Sequence, residues 1–445
     1  MSEIADRMRA DWNRRAREDA NYYVAFGRRE QEQSEFEATA ADVVRDLTRE
    51  LRHLGRPADH LTMRALEIGC GPGRVMLPMS RRFREIHGVD VSDEMIRQAR
   101  ERLRESPNAH AKVNSGLDLR GIADESFDFA YSYAVFQHIP SREVVLNYLR
   151  EAWRVLKPGG LIRCQVNGLE EVPGSCDTWS GVRITAKEIA EFARAEDFQL
   201  LALEGARTQY MWVTMRKRSR GWHGALEQRR MDVTSTRVHR LTNVFGTEPL
   251  AACRGRFAGI VLWIGDLPDE CDLLHLEAFI GDGRGTPFYV GPAENDGLRQ
   301  LNVSLPAGIP TGLHPVELRW LGLPLCPAVT LRVVPPGPFA PRVLSVSDAI
   351  DLLAGPVIRS GIIKAVFEEV DGIERLGARV DGREVTRIEP FCVDPVPMRY
   401  EVNFHLPEDM GVGPKRLDLW LGPRRFPPIC IEVLQTRPDP PNSRL

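Results

Sequence analysis

Apolar positions Phe36, Ala40, Val43, Val44, Leu47, Leu51 and Leu54 recur at helical spacing, and Gly55 and Pro57 end the run. Residues 1–60 are otherwise highly charged and read as a helical N-terminal cap. From 63 to 215 the pattern alternates between short apolar runs and amphipathic stretches. MRALEIG, EIHGVD, AHAKVN, FDFAYSY, LIRCQVN, FQLLALE and TQYMWVTM read as strands. RVMLPMSRRF, SDEMIRQARERLRE (Ser92 as N-cap), SREVVLNYLREAWRVL and TAKEIAEFARA read as helices between them. Lys157-Pro158-Gly159-Gly160 is expected to stop the third helix. Strands alternating with helices predict a mostly parallel seven-stranded sheet covered on both faces.

The texture changes after residue 215. MRKRSRGW reads as a solvated basic linker. Beyond about 240 helical periodicity vanishes, and short apolar runs punctuated by Gly and Pro predict β-sandwiches. LPAGIPTGLHPVELRWLG (305–322) matches LPEDMGVGPKRLDLWLG (406–422), and AFIGDGR (278–284) answers ARVDGR (378–383). On that match Trp320 maps onto Trp420, and both are expected in the core. The period of about 100 residues suits one immunoglobulin-sized sandwich per copy. The expected division is therefore 1–60 cap, 61–218 α/β domain, 219–240 linker, 241–338 and 339–436 sandwiches, and 437–445 disordered tail.

Composition excludes more than it selects. The chain of 445 residues is 43% hydrophobic and 27% charged, with a net charge of -3, so electrostatics give no case for nucleic acid. No apolar run reaches the roughly 20 residues that span a bilayer, and the charged N-terminus is unlike a signal peptide. The eight cysteines form no CxxC pair, so no zinc or other metal site is expected, and reduced thiols in a cytoplasm are the simplest reading.

The stretch ALEIGCGPGRV (65–75) carries the chemistry. Gly69, Gly71 and Gly73 lie between a strand and a helix, where backbone must approach a ligand closely and helix N–H groups are unpaired. Asp90 ends the next strand, where a carboxylate can accept both ribose hydroxyl protons. Pro72 removes an N–H from the loop, which ill suits a diphosphate, whereas Glu67 can meet an ammonium group.

ALEIGCGPGRV, GVDVSDEMI, DESFDFAYSYAVFQHIP and WRVLKPGG, in that order, resemble the class I S-adenosylmethionine-dependent methyltransferases over about 60–215. The expected fold is thus a Rossmann-like methyltransferase domain followed by two immunoglobulin-like sandwiches, which resemble the IPT/TIG type. The resemblance implies S-adenosyl-L-methionine as cofactor, with Asp90 at the ribose, Val91 or Met95 on the adenine face and the loop 114–118 at the adenine edge. Ser115-Gly116-Leu117 stands where many relatives have Gly-Asp-Ala, so Leu117 with Asp118 or Asn114 would supply the contact. Tyr133 is counted with the cofactor set.

His138, in FQHIP, resembles the histidine that several O-methyltransferases use as general base. The (Asn/Asp)-Pro-Pro-Tyr stretch of amino-directed enzymes is missing, which tilts the acceptor toward oxygen. Gln137, Gln165 and Asn167 at the strand ends, and Tyr22 and Tyr23 as lid residues beside Trp12 and Phe26, are the expected substrate contacts; Trp179 and Tyr210 are further pocket candidates. The expected acceptor is a small molecule or glycan precursor, and the sandwiches would serve a homo-oligomer or protein partner. Two alternatives remain: a cofactor-binding scaffold without turnover, and an NAD-dependent oxidoreductase, which would need a GxGxxG loop and a Tyr-x-x-x-Lys pair.

Overall fold

In the computed structural model the described residues are all those of the chain except 1, 26–28, 171–175, 230–234, 353–354, 395–397, 408 and 435–445. Phe26 and the tail 437–445 therefore lie outside them. The chain forms two compact units, Met1–Ala20 with Glu37–Pro336, and Asn21–Phe36 with Gly337–Leu445.

The helices are α1 (Ser2–Ala25), α2 (Gln33–Ala38), α3 (Ala41–Leu51), α4 (Pro57–His60), α5 (Met76–Ser80), α6 (Asp93–Arg102), α7 (Arg142–Val155), α8 (Ala186–Ala195) and α9 (Trp222–Gln228). Asp19 breaks α1 with extended backbone (φ -169°, ψ 89°). The first seven strands are β1 (Arg64–Ile68), β2 (Glu85–Asp90), β3 (Ala109–Val113), β4 (Phe127–Ser132), β5 (Leu156–Val166), β6 (Phe198–Glu204) and β7 (Met211–Lys217). Their order is 3-2-1-4-5-7-6. β3, β2, β1, β4 and β5 run parallel, and β7 is antiparallel to both β5 and β6.

Alternation along the strands builds two apolar layers. Ala65, Ile86, Phe129 and Leu161 pack with Val43, Leu47 and Leu51 of α3 and Ile96 and Ala99 of α6 on one face. Leu66, Val89, Ala130, Ile162, Val213 and Met215 pack on the other with α7, α8 and Met8 of α1. Ser92 and Ser141 cap α6 and α7, accepting from Met95 N at 3.1 Å and Val144 N at 3.4 Å. Thr185 and Glu188 form a capping box on α8.

Several elements differ from expectation. Of RVMLPMSRRF only Met76–Ser80 is α-helical; Pro78 lies in its first turn, where a missing N–H is tolerated, and Arg82 N closes a turn on Met79 O at 3.0 Å just after it. The third helix stops at Val155, and Leu156 to Gly160 already belong to β5, across a register shift opposite Phe127 and Phe129. The segment 219–240, expected as linker, contains α9 and the start of the strand Arg237–Asn243. The basic residues Arg216 and Lys217 before it are buried in β7.

From Arg237 onward one topology occurs twice. Arg237–Asn243, Gly259–Gly265, Arg299–Ser304 and Gly283–Ala293 pair in that order. Arg342–Asp348, Ile362–Glu368, Arg399–His405 and Ile388–Asp394 do likewise. In each copy a second sheet carries a parallel pair: Val329–Val334 with Leu250–Ala252, and Ile429–Val433 with Val357–Ile358. The first copy belongs to the same compact unit as β1–β7. Its Tyr289 pairs with Ala202 of β6, its apolar residues Ala251, Ile260 and Leu301 join the α3–α6 layer, and the Tyr289 hydroxyl donates to Glu50 at 3.0 Å.

The tryptophan match needs correction. Trp320 is buried and pairs with Leu276, but the residue pairing with Leu376 is Leu421, not Trp420. Trp420 pairs with Gly377 and lies on the opposite face, half-buried, between Arg379 and Arg425. A strand offset of one residue reverses the face, so equal letters here occupy unequal environments.

Candidate functional site

The site lies at the carboxyl ends of the parallel strands, where an open α/β sheet gathers its reacting groups. Gly69 N and Cys70 N both donate to Val89 O, at 2.7 and 3.0 Å, which folds the chain back over β2. Gly69, Gly71 and Gly73 have φ of +75°, +50° and +81°, the left-handed region in which side chains are strained. At Gly69 space is also closed: a Cβ would sit 2.4–2.5 Å from the Val135 methyls. Part of the demand for glycine thus comes from the chain's own Val135.

Asp90 faces this turn. Its two oxygens accept from Gly71 N and Ser92 N, each at 2.9 Å. Burial raises its pKa against the opposing pull of the Ser92, Gly71 and Val91 N–H groups. Glu67 is buried beneath the turn and accepts from the Tyr131 hydroxyl at 2.8 Å. Burial pushes the Glu67 carboxyl up to about 8, against that hydrogen bond and the attraction of Arg74. Arg74 is itself buried, donates to Thr39 and lies over the Tyr133 ring at 5.4 Å. Tyr133 stacks on Trp212 at 5.6 Å.

Helix α1 spans the neighbouring loops. Arg9 donates to Val91 O at 3.2 Å and Asn114 O at 3.3 Å. Asn13 Oδ1 accepts from Ser92 Oγ at 2.7 Å and Glu94 N at 3.0 Å. Val91 crowds Gly116 and Met95 is buried. Asn114 donates to the Tyr148 hydroxyl at 2.9 Å and to Asp118 O. The Asp118 carboxylate accepts from Ser115 Oγ at 2.8 Å, and Leu117 O accepts from Asn147 at 2.9 Å, so this loop is tied to itself and to α7.

His138 lies in a short 3-10 turn (Phe136–His138) after β4. Its Nδ1 is 2.7 Å from Trp179 O. A carbonyl oxygen only accepts, so Nδ1 carries the proton and Nε2 keeps its lone pair. Trp12 and Trp179 flank the ring at centroid distances of 5.5 and 5.4 Å. Burial holds the imidazole down at about 4, although its bond to Trp179 O works the other way. Arg15 lies over both tryptophans and donates to Thr178, whose hydroxyl donates to Asp11 at 2.7 Å. Gly181 lets this loop approach, since a Cβ there would meet Gln137 O and Ile139 N and O at 2.7 Å.

The amide oxygens of Gln137 and Gln165 are buried without a hydrogen-bond partner. Asn167 is locally engaged: its side chain accepts from Leu169 N at 3.2 Å and its carbonyl from Ile184 N at 2.8 Å. Tyr22 and Tyr23 belong to the second compact unit, with ring centroids 5.1 Å apart and Arg29 over Tyr22. Tyr210 is partly exposed beyond β6. Sequence reasoning missed Arg9, Asn13, Arg15 and Arg74. Their only signal was a charged helix and a basic residue after the glycines.

Sheet order and the glycine turn after β1 together define a Rossmann-like α/β fold. The family model that matches is the methyltransferase domain, over residues 66–164. Phosphoethanolamine N-methyltransferase 2 of Caenorhabditis elegans is 28% identical over 183 residues, covering 39% of this chain and 40% of that protein. A ubiquinone biosynthesis O-methyltransferase of Cereibacter sphaeroides is 33% identical over 113 residues, covering 25% of this chain and 44% of that protein. The chain thus spans less than half the length of these relatives. Among solved structures, Haemonchus contortus phosphoethanolamine N-methyltransferase 1 with phosphoethanolamine and S-adenosylhomocysteine has a TM-score of 0.37 at 18% identity, covering 50% of this chain and 51% of that one. A Methanosarcina mazei methyltransferase has a TM-score of 0.29 at 22% identity, covering 36% of this chain and 96% of that one. Among the described residues no helix is long and apolar enough to cross a membrane.

Proposed function

We propose that the chain is an S-adenosylmethionine-dependent methyltransferase that methylates a hydroxyl of a small molecule. The observation that carries this is the left-handed turn Gly69–Gly73 facing Asp90, with Glu67 buried beneath it, inside the segment that matches a methyltransferase domain. The residues fit that cofactor. Each Asp90 oxygen accepts one backbone N–H and keeps a lone pair for a ribose hydroxyl. Glu67 offers a buried carboxyl to an ammonium group. Val91, Met95, Leu117 and Asp118 are read as the adenine surround, and Tyr133 as a wall.

When bound, S-adenosylmethionine supplies a methyl group on a sulfonium sulfur. In this reading His138 accepts the acceptor's hydroxyl proton at Nε2, while Trp179 O fixes the tautomer. Trp12 and Trp179 flank the ring, and Arg15 lies over both tryptophans. Gln137 and Gln165, whose buried amide oxygens have no hydrogen-bond partner, orient the acceptor, and Gln137 Nε2 lies 3.5 Å from His138 Nε2. The duplicated two-sheet topology supports reading the later strands as immunoglobulin-like sandwiches.

The test is calorimetric titration with S-adenosylhomocysteine. A screen with labelled S-adenosylmethionine follows, in which polyprenylated phenols, simple alcohols and phosphoethanolamine compete as acceptors. Transfer to hydroxyl acceptors supports the reading; transfer only to the amine would replace it, and no cofactor binding would end it.

A further inference from the structure

Away from the strand ends, His223 of α9 and the tight turn Asp272–His275 form a second polar cluster. The three side chains are buried, and a ligand atom from each lies within 4.8 Å of the others. His223 Nε2 is 3.1 Å from Phe198 O and 3.3 Å from Ala193 O. Both are carbonyls, so Nε2 carries the proton and the lone pair is on Nδ1. That Nδ1 has no hydrogen-bond partner, although His223 is only 4% exposed. Asp272 is fully buried, and its Oδ2 has no partner either. Its Oδ1 takes His275 N at 3.0 Å and lies 2.7 Å from His275 Nδ1, and His275 Nε2 is 3.3 Å from Glu227 Oε1.

Buried polar atoms are rarely left unpaired. Here two orphans, a neutral imidazole nitrogen and a carboxylate oxygen, occur in one cluster with a second imidazole beside them. The outer partners are also those of metal-bound histidines, whose far N–H goes to a carbonyl or carboxylate. His223 has the carbonyls of Ala193 and Phe198, and His275 has Glu227.

We propose that His223 Nδ1, Asp272 and His275 Nδ1 bind one zinc-class divalent cation, which releases to solvent the proton that His275 Nδ1 now donates to Asp272 Oδ1. Two imidazoles and a carboxylate are a donor set for such an ion, with bonds of about 2.0–2.2 Å. Ligand atoms around it stand roughly 3.3–3.5 Å apart, so Asp272 Oδ1 and His275 Nδ1, now at 2.7 Å, open slightly on binding, while the other spacings lie within the 4.8 Å of the cluster. The site is structural. It joins α9, and through its carbonyls the end of α8 and the start of β6, to the turn whose Leu273 N donates to Leu200 O at 2.8 Å. The cation would thereby staple the methyltransferase sheet to the first duplicated β unit, within one compact unit.

The test strips the full chain with chelator and titrates it with Zn(II) by calorimetry and with Co(II) by visible absorption. One ion per chain is expected, with a Co(II) ligand-field spectrum and a rise in melting temperature on Zn(II) addition. His223→Ala should weaken Zn(II) binding more than tenfold and Glu227→Gln about tenfold, while His110→Ala leaves it unchanged. Zinc absorption fine structure on the unaltered protein needs no variant and should give a nitrogen and oxygen shell with imidazole scattering. A sulfur shell, which would implicate Cys271, overturns the ligand set. So does binding that survives His223→Ala, or that is lost with His110→Ala and so belongs to Glu85, His87 and His110. Absence of uptake means that His275 is only a hydrogen-bonded bridge between Asp272 and Glu227, and ends the proposal.

Discussion

The Tyr131 hydroxyl donates to the buried Glu67 carboxyl at 2.8 Å, two residues before the first glycine of the turn. This bond favours the charged form, yet burial wins, and the carboxyl titrates near 8. At neutral pH Glu67 therefore holds a proton that it must release to meet an ammonium group. S-adenosylhomocysteine affinity should rise with pH, by up to about tenfold per unit between 6 and 8. Calorimetry in buffers of different ionisation enthalpy should register the released proton. Glu67→Gln should abolish both effects, and a flat profile in the unaltered protein would remove the ammonium role.

Asp90→Asn keeps the shape of the side chain but replaces one acceptor by a donor that must face Gly71 N, Ser92 N or a ribose hydroxyl. Cofactor affinity should fall by about 1–3 kcal/mol, roughly 5- to 150-fold. Circular dichroism should stay native. Unchanged affinity would mean that the ribose lies elsewhere.

His138→Gln should lower kcat by about 10²- to 10⁴-fold, the usual share of a general base, and leave cofactor binding intact. Because burial holds the ring near 4, it stays neutral from pH 5 to 8 and should add no acid limb to the rate profile there. The same shift gives a sign for stability. Between its ordinary 6.5 and about 4 the unfolded chain binds the extra proton, so acidification over that interval favours unfolding. A variant with full kcat would leave His138 as a packing residue.

Arg163 is 1% exposed, forms two hydrogen bonds with Asp46 at 2.8 and 3.0 Å through Nη2, and pairs with Glu204 at 2.9 Å. It lies over Trp212, which stacks on Tyr133 of the site. Arg163→Met leaves carboxylates without their buried cation and should cost about 3–5 kcal/mol in urea unfolding.

Ending the chain after residue 240 removes Ala251, Ile260, Leu262, Leu301 and Val303 from the layer that also holds Leu47, Ile86 and Leu201. The remainder should aggregate or melt early, measured by light scattering and thermal unfolding, even though it keeps all seven strands of the α/β sheet.

The sheet, its helices and the Gly69–Gly73/Asp90 pair were legible because period, capping and punctuation are local. So was the place of His138 just after β4. The true repeat register was not. Trp320 and Trp420 match as letters, but pairing to Leu276 and Leu376 aligns Trp320 with Leu421, and only the ladder reveals that offset. Arg15 and Trp12 came to His138 from over a hundred residues away, and no spacing rule spans such a loop.

The amino-acid order alone determined the alternation of strands and helices, the glycine-rich turn and the acid that follows it, since period and punctuation are set within a few residues. Tertiary structure decided which side chains lost their water. Burial, summed over elements distant in the chain, pushes the Glu67 carboxyl up and the His138 imidazole down, and leaves His223 Nδ1 and Asp272 Oδ2 without a hydrogen-bond partner.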